Sequence, residues 1–384
     1  MNLKAIKRCP PVYRALSLAR RVGGRAWMRA QHRLRGVRPK AVLFTSFKGR
    51  SYSDSPRFIS EALHALRPDI EILWQLSDPA AAPDYVRTVK PRSLAALTAF
   101  ATARCFVDNF NRPIYMLKFP DQLYVQTWHG DRGFKKVLFD MNDGLDYPDG
   151  AQMDLAVSGS RFGTEVYRTA FRYSGAVLQT GMPRNDALVR RDLSRGEAAR
   201  RALNLPEGAR VMLYAPTFRD ATAGAALQAG FDLPRALETL ERATGQPWLC
   251  LTRAHDKNRR ITAARASNVR DVTDYPEMSD LLLLADLLIT DYSSSAGDFA
   301  LLDRPVILYQ PDLDDFTASD RHMYFNLRDC PYLRAESEPA LIDMLANFSR
   351  LPQPSPAVLA FYGATESGRS AQAVAQWISD RIPE

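Results

Sequence analysis

From residue 40 onward, short apolar runs alternate with stretches in which apolar positions recur every three or four residues. The runs AVLFTSF, IEILWQL, RCFVDN, LYVQTW, DLAVSGS and AVLQTG have the length and the branched or aromatic content of buried strands. Between them PRFISEALHAL, SLAALTAFATA and RFGTEVYRTAF carry helical spacing. Strands that alternate with helices in this way build parallel sheets covered on both faces. A polar stretch over 182–210, rich in Arg, Asp and Pro, interrupts the pattern. The alternation then restarts with RVMLYAPTF, LPRALETLERA, PWLCLTRAH, VRDVT, MSDLLLLA, DLLIT, SAGDFALL and PVILYQ. Two such halves in series predict an α/β protein of two facing Rossmann-like domains. The divisions read as a basic helical arm over 1–40, a first domain over 41–185, a second over 186–365, and a last helix over 366–384 that returns to the first domain.

Composition agrees with a globular chain: of 384 residues, 46% are hydrophobic and 24% charged, enough for two domains that each bury a core. The longest apolar run, LLLLADLLI at 281–289, is broken by Asp286 and falls well short of the roughly 20 residues a membrane-spanning helix needs. No apolar core follows the charged N-terminus as a secretory signal would require, so a cytoplasmic location is expected. Cys9, Cys105, Cys250 and Cys330 are far apart, form no metal-binding cluster and read as reduced.

Charge changes the picture. Twelve of the 51 Lys and Arg lie in residues 1–40, which hold no Asp or Glu, so the remainder carries 39 basic against 43 acidic residues. A basic patch confined to one arm points to an anionic surface rather than to nucleic acid. Within it Val12, Leu16, Ala19 and Val22, then Trp27, Ala30 and Leu34 after Gly23-Gly24, recur at helical spacing. The pattern predicts two short amphipathic helices lying on an anionic membrane. A solvated helix, or one packed on a second copy in a homo-oligomer, has the same signature.

Three segments carry candidate chemistry. In QTWHGDRGFKK, His129 ends an apolar strand, Gly130 opens a loop, and Arg132, Lys135 and Lys136 follow; in open α/β sheets, ligands bind at the carboxyl ends of strands. In LLITDYSSSAGDFALLDRPVILY, a strand ends at Thr290, and Asp291 and the hydroxyls of Ser293 and Ser294 precede a helix. Such a turn offers unpaired N–H groups to an anion. YAPTFR and LTRAHDK bring Thr217, Arg219, Arg253 and His255 to the same rim, where they would face a diphosphate.

Taken together, SFKGRSYSDSPRFI, QTWHG…KK, GMPRND, YAPTFR and DVTDYPEMSDLLLLADLLITDYSSSAGDFALLDRPVILY resemble the CDP-glycerol glycerophosphotransferases, over about residues 42–330. That family makes teichoic acids and related glycerol-phosphate or ribitol-phosphate capsule polymers. The resemblance implies a two-domain glycosyltransferase-B fold, with acceptor in the first domain and CDP-linked donor in the second. It matches His129 and His255 to the family's two important histidines, and Arg219, Ser293, Ser294 and Asp298 to its donor-binding segments. HGDRGFKK is one residue longer than the family's usual HGTPLKK, and HD replaces HP at 255–256. The implied partners are CDP-glycerol or another CDP-polyol, a lipid-linked saccharide or polyol-phosphate polymer as acceptor, and the anionic cytoplasmic face of the membrane. A UDP-sugar glycosyltransferase of the same fold, or a non-catalytic protein binding anionic polymer or membrane, stand as alternatives. No cofactor is required if cationic groups suffice, although Asp312-x-Asp314 has the spacing by which metal-dependent glycosyltransferases hold Mn²⁺ or Mg²⁺.

Overall fold

A computed structural model describes residues 10–112, 116–217, 230–254, 267–318 and 322–384, with side chains from residue 18 onward apart from that of residue 318. The first sheet holds β1 (Arg38–Thr45), β2 (Glu71–Gln75), β3 (Val86–Val89), β4 (Ala103–Asp108), β5 (Leu123–Gln126), β6 (Leu155–Ser158) and β7 (Ala176–Gln179). The second holds β8 (Arg210–Ala215), β9 (Trp248–Thr252), β10 (Val269–Asp271), β11 (Leu287–Thr290), β12 (Val306–Tyr309) and β13 (Leu333–Ala335). Every pairing is parallel, in the orders β3-β2-β1-β4-β5-β6-β7 and β10-β9-β8-β11-β12-β13. The direction of winding therefore reverses between β1 and β4 in one sheet and between β8 and β11 in the other. At such a switch point, the loops leaving the two strands part and open a crevice.

Alternate residues of β1 feed opposite faces of its sheet. Leu43 joins a cluster with Phe106, Tyr124 and Met28, while Val42 and Phe44 join Ile59, Trp74 and Val374. Both faces are dry, which is why the strands read as unbroken apolar runs. The C-terminal helix Ser370–Ser379 buries Val374, Ala375 and Ile378 in this second cluster, beside helix Asp54–Leu66, so the chain ends on the first domain. The edge strands β3 and β13 carry no apolar run: VRTV and LRA are short and half-solvated, and periodicity alone does not predict them.

The N-terminal region differs from expectation. One helix, Pro10–Arg35, runs unbroken through Gly23-Gly24. Two interior glycines cost a helix about 1 kcal/mol each, but tertiary contacts just beyond them hold it. Met28 is fully buried, Trp27 Nε1 donates to Thr98 Oγ1 at 3.0 Å, and His32 stacks on Phe119 with Nδ1 bonded to the Ala101 carbonyl at 3.0 Å. Trp27 thus faces helix Leu94–Thr102 rather than an outer surface, whereas Leu18, Val22 and Leu34 are exposed. Among the described residues, no helix is long and apolar enough to cross a membrane.

Candidate active site

The carboxyl rims of the two sheets face each other, and His129 stands on the first. Asp108 and Gln126 are register partners at the ends of β4 and β5, so the loops that follow leave side by side. Trp128 turns the chain with φ 53°, a left-handed conformation costing a bulky side chain about 1–2 kcal/mol. Its N–H donates to Gln126 Oε1 at 2.8 Å and its ring packs edge-on to Phe171, which hold the turn. His129 then lies flat on Phe110, centroids 5.1 Å apart, with Nδ1 2.6 Å from the Asn109 carbonyl. A carbonyl only accepts, so Nδ1 carries the hydrogen and Nε2 keeps its lone pair. Burial pushes the imidazole below its ordinary value, more than the Asn109 bond pulls it up, so it is neutral at neutral pH.

Asn109 ties this loop to the one after β1, because its Oδ1 accepts from the Phe47 N–H at 2.8 Å. Lys48 follows, its ammonium 4.2 Å from the Phe110 ring centroid and lowered in pKa by burial. Lys48 and Asn109 are thus neighbours of His129 that apolar periodicity gave no reason to select.

Arg132 and Asp298 occupy a different place from the one read for them. The sequence pattern places Arg132 in a loop facing phosphate, whereas its guanidinium is wholly buried. It bonds Asp298 Oδ1 and Glu366 Oε1, each at 2.8 Å. Asp298, expected among donor-binding groups, also receives Arg184 at 3.0 Å, and Arg184 reaches Asp54 Oδ2 at 3.2 Å. Asn185 Nδ2 donates to both Asp298 and Glu366. The cluster joins the first domain, the crossing segment, the second domain and the returning C-terminus. Burial alone would raise Asp298, but Arg184 and Arg132 outweigh it and hold the carboxyl below its usual range. Glu366 meets only one of those guanidiniums, and burial leaves it raised. A Cβ on Gly297 would stand 2.7 Å from that of Arg132, so glycine there lets the arginine pass. Beside the joint, Glu277 of the second domain accepts from the Asp54 N–H at 3.0 Å, at the start of helix Asp54–Leu66.

On the second rim, Asp291 accepts from the Thr217 N–H at 2.9 Å, fixing the loops after β8 and β11 at their switch point. Ser293 Oγ lies 2.9 Å from Ser295 Oγ and accepts from the Ser295 N–H. Ser294 precedes helix Ser295–Phe299 without a side-chain capping bond. That helix has five residues, so its macrodipole is weak, and an anion here would rest on individual N–H and hydroxyl donors. The first rim comes close: a Cβ on Gly130 would stand 4.0 Å from Ser294 Oγ. Arg253, after β9, spends one N–H on the Tyr275 carbonyl. Lys135 lies over the Phe316 ring, and the Lys136 N–H bonds the His322 carbonyl, so both sit where the rims meet. Arg219 and His255 lie outside the described residues. Asp312 accepts from Tyr292 OH, while Asp314 is exposed and paired with Arg328. Among the described residues, no three His, Cys, Asp or Glu are grouped to hold a metal ion.

A profile of the CDP-glycerol:poly(glycerophosphate) glycerophosphotransferase family matches residues 26–379. The chain belongs to this family. It is 31% identical over 372 residues to a teichoic acid poly(glycerol phosphate) polymerase of Staphylococcus epidermidis, covering 91% of this chain and 52% of that protein. It is 32% identical over 323 residues to a teichoic acid glycerol-phosphate transferase of Staphylococcus aureus, covering 79% and 82%. The chain thus spans about half the length of the first relative and most of the second. Among solved structures, the wall teichoic acid polymerase TagF superposes with a TM-score of 0.82 at 28% identity, over 100% of this chain and 98% of that one. A TagF variant with one histidine replaced by asparagine has been soaked with CDPG. Membership of this family agrees with the two parallel sheets and their facing rims.

Proposed function

We propose that the chain transfers glycerol phosphate from CDP-glycerol, or a related polyol phosphate from another CDP-polyol, to a hydroxyl of a lipid-linked saccharide or polyol-phosphate polymer, releasing CMP in the synthesis of a teichoic-acid-like polymer. The observation that carries this reading is the His129 imidazole, neutral and tautomerically fixed by Asn109, on a rim facing the serine turn of a family member. His129 Nε2 takes the proton of the acceptor hydroxyl as its oxygen bonds to the β-phosphorus. The bond from that phosphorus to the bridging oxygen breaks, and the electron pair leaves with CMP.

Phosphoryl transfer depends mostly on positioning and charge stabilisation. Ser293, Ser294, Thr217, Asp291 and Arg253 frame the donor side, joined in this reading by Arg219 and His255, while Gly130, Lys48, Lys135 and Lys136 face the acceptor. In this reading these groups supply the charge stabilisation that a metal ion would otherwise give. The exposed Leu18 and Val22 and the basic face of helix Pro10–Arg35 hold the protein at the cytoplasmic face of an anionic membrane.

The test is product analysis by mass after incubation with CDP-glycerol, CDP-ribitol or UDP-sugars and a lipid-linked saccharide. CMP release with phosphate-linked glycerol or ribitol on the acceptor, unaffected by a chelator, is the expected result. Release of UDP, or of no nucleotide, overturns the reading. Within the same assay, Ser294→Ala is expected to weaken donor affinity about tenfold, the worth of a hydrogen bond to a charged group. No capping bond is lost, so its melting temperature should not move. A fall in melting temperature at unchanged affinity would make the serine structural.

A further inference from the structure

On the face of the first sheet covered by helix Pro10–Arg35 and helix Leu94–Thr102, a cleft of about 580 Å³ opens against the edge formed by β2 and β3. We infer that it binds the phosphodiester headgroup and first acyl carbons of an anionic glycerophospholipid. Three arginines, Arg35, Arg38 and Arg87, are among its lining residues. A single carboxylate, Glu71, faces them, 2.7 Å from Arg38 and 3.4 Å from Arg87. Arg35 makes no ion pair among the described residues, so the rim holds positive charge beyond what Glu71 neutralises.

The wall beneath is apolar, with Trp27 and Leu73 among its residues. The Trp27 indole is fixed by its bond to Thr98. Leu94, which lines the cleft, is 56% exposed, and Leu34, two turns beyond Trp27 on the same helix, is 79% exposed. A small inorganic anion would satisfy the arginines but leave this apolar surface wet, and an uncharged lipid would leave the arginines without a partner. An anionic amphiphile answers both, and the volume is that of an ordinary small-ligand cleft. Guanidinium suits the task because its planar donors pair with two phosphate oxygens at once.

The inference sharpens the membrane reading given above but fails separately from it. The full chain is titrated calorimetrically with dihexanoyl phosphatidylglycerol below its micelle-forming concentration, and with dihexanoyl phosphatidylcholine, glycerol 3-phosphate and inorganic phosphate. Phosphatidylglycerol is expected to bind at least tenfold more tightly than the other three. Arg35→Gln with Arg87→Gln, which leaves the Arg38–Glu71 pair intact, should cost tenfold or more, and Ala95→Trp, which fills the cleft, should abolish binding. Equal affinity for inorganic phosphate, or affinity indifferent to these substitutions at unchanged melting temperature, overturns the inference. Sedimentation with phosphatidylglycerol vesicles tests the arm separately, in the Arg35→Gln, Arg87→Gln background where the cleft no longer contributes: adding Leu18→Gln with Val22→Gln should release the protein, while Leu18→Gln with Val22→Gln alone should leave short-chain lipid binding intact. Retention of the fourfold variant on vesicles would sink the arm reading alone, and loss of short-chain lipid binding in the twofold variant would count against a separate cleft.

Discussion

His129→Ala is expected to lower turnover by about a hundredfold or more, the usual loss when a general base is removed. The loss should appear in kcat and kcat/KM alike, because the base acts as the acceptor oxygen attacks. Activity within tenfold of the parent would remove His129 from the mechanism. The pH profile is an independent check. Burial holds the imidazole below its ordinary value near 6.5, so the base is unprotonated throughout the neutral range. The rate should be flat there and fall only in acid, at a pH below that of a solvated histidine. A fall already under way at pH 7 would point to another group.

Asp298→Ala is expected to reduce the free energy of unfolding by about 3 kcal/mol, the low end of the cost of breaking a buried ion pair. It takes one carboxylate from two buried guanidiniums, leaving Arg132 with Glu366 and Arg184 with Asp54 as their remaining counter-charges. Equilibrium unfolding in urea measures it, and a loss under 1 kcal/mol would show that the joint contributes little to stability. The carboxyl is held below its unfolded value. Its contribution is therefore fully present above the ordinary carboxylate range near pH 4 and is lost as pH falls through the lower folded value. The alanine variant should accordingly lose most of its disadvantage in strong acid.

The architecture was legible because buried strands have no polar side to show. RVMLYA, DLLIT and PVILY announce themselves as apolar runs, and parallel connectivity follows from the helices between them. His129 and Ser294 were legible because they stand directly after such runs. The joint was hidden for the opposite reason. Its members, at 54, 132, 184, 298 and 366, are far apart along the chain, and each alone is an ordinary surface charge. Only the fold gathers them, and burial then reverses their meaning. At Gly23-Gly24 glycine's intrinsic preference for ending a helix is overridden by the Trp27 indole bond and the buried Met28, which lie beyond the reach of local propensity. Lys48 and Asn109 belong to loops whose conformation, with Phe47, Lys48 and Gly49 all at positive φ, is set by contacts across the rim.

The loop following His129 departs from its family's usual pattern by an extra residue, and Asp131 and Arg132 of that stretch turn inward. Asp131 Oδ1 receives Ser158 Oγ and the Gly159 N–H, while Arg132 binds the second domain and the C-terminus. A hinge opening here would have to pull desolvated charges apart, so the two halves behave as one mechanical body at this joint. Variation in what the site accepts then has a natural outlet. The rim loops can be rebuilt residue by residue, as evolution or an engineer requires, without disturbing the angle at which the two halves meet.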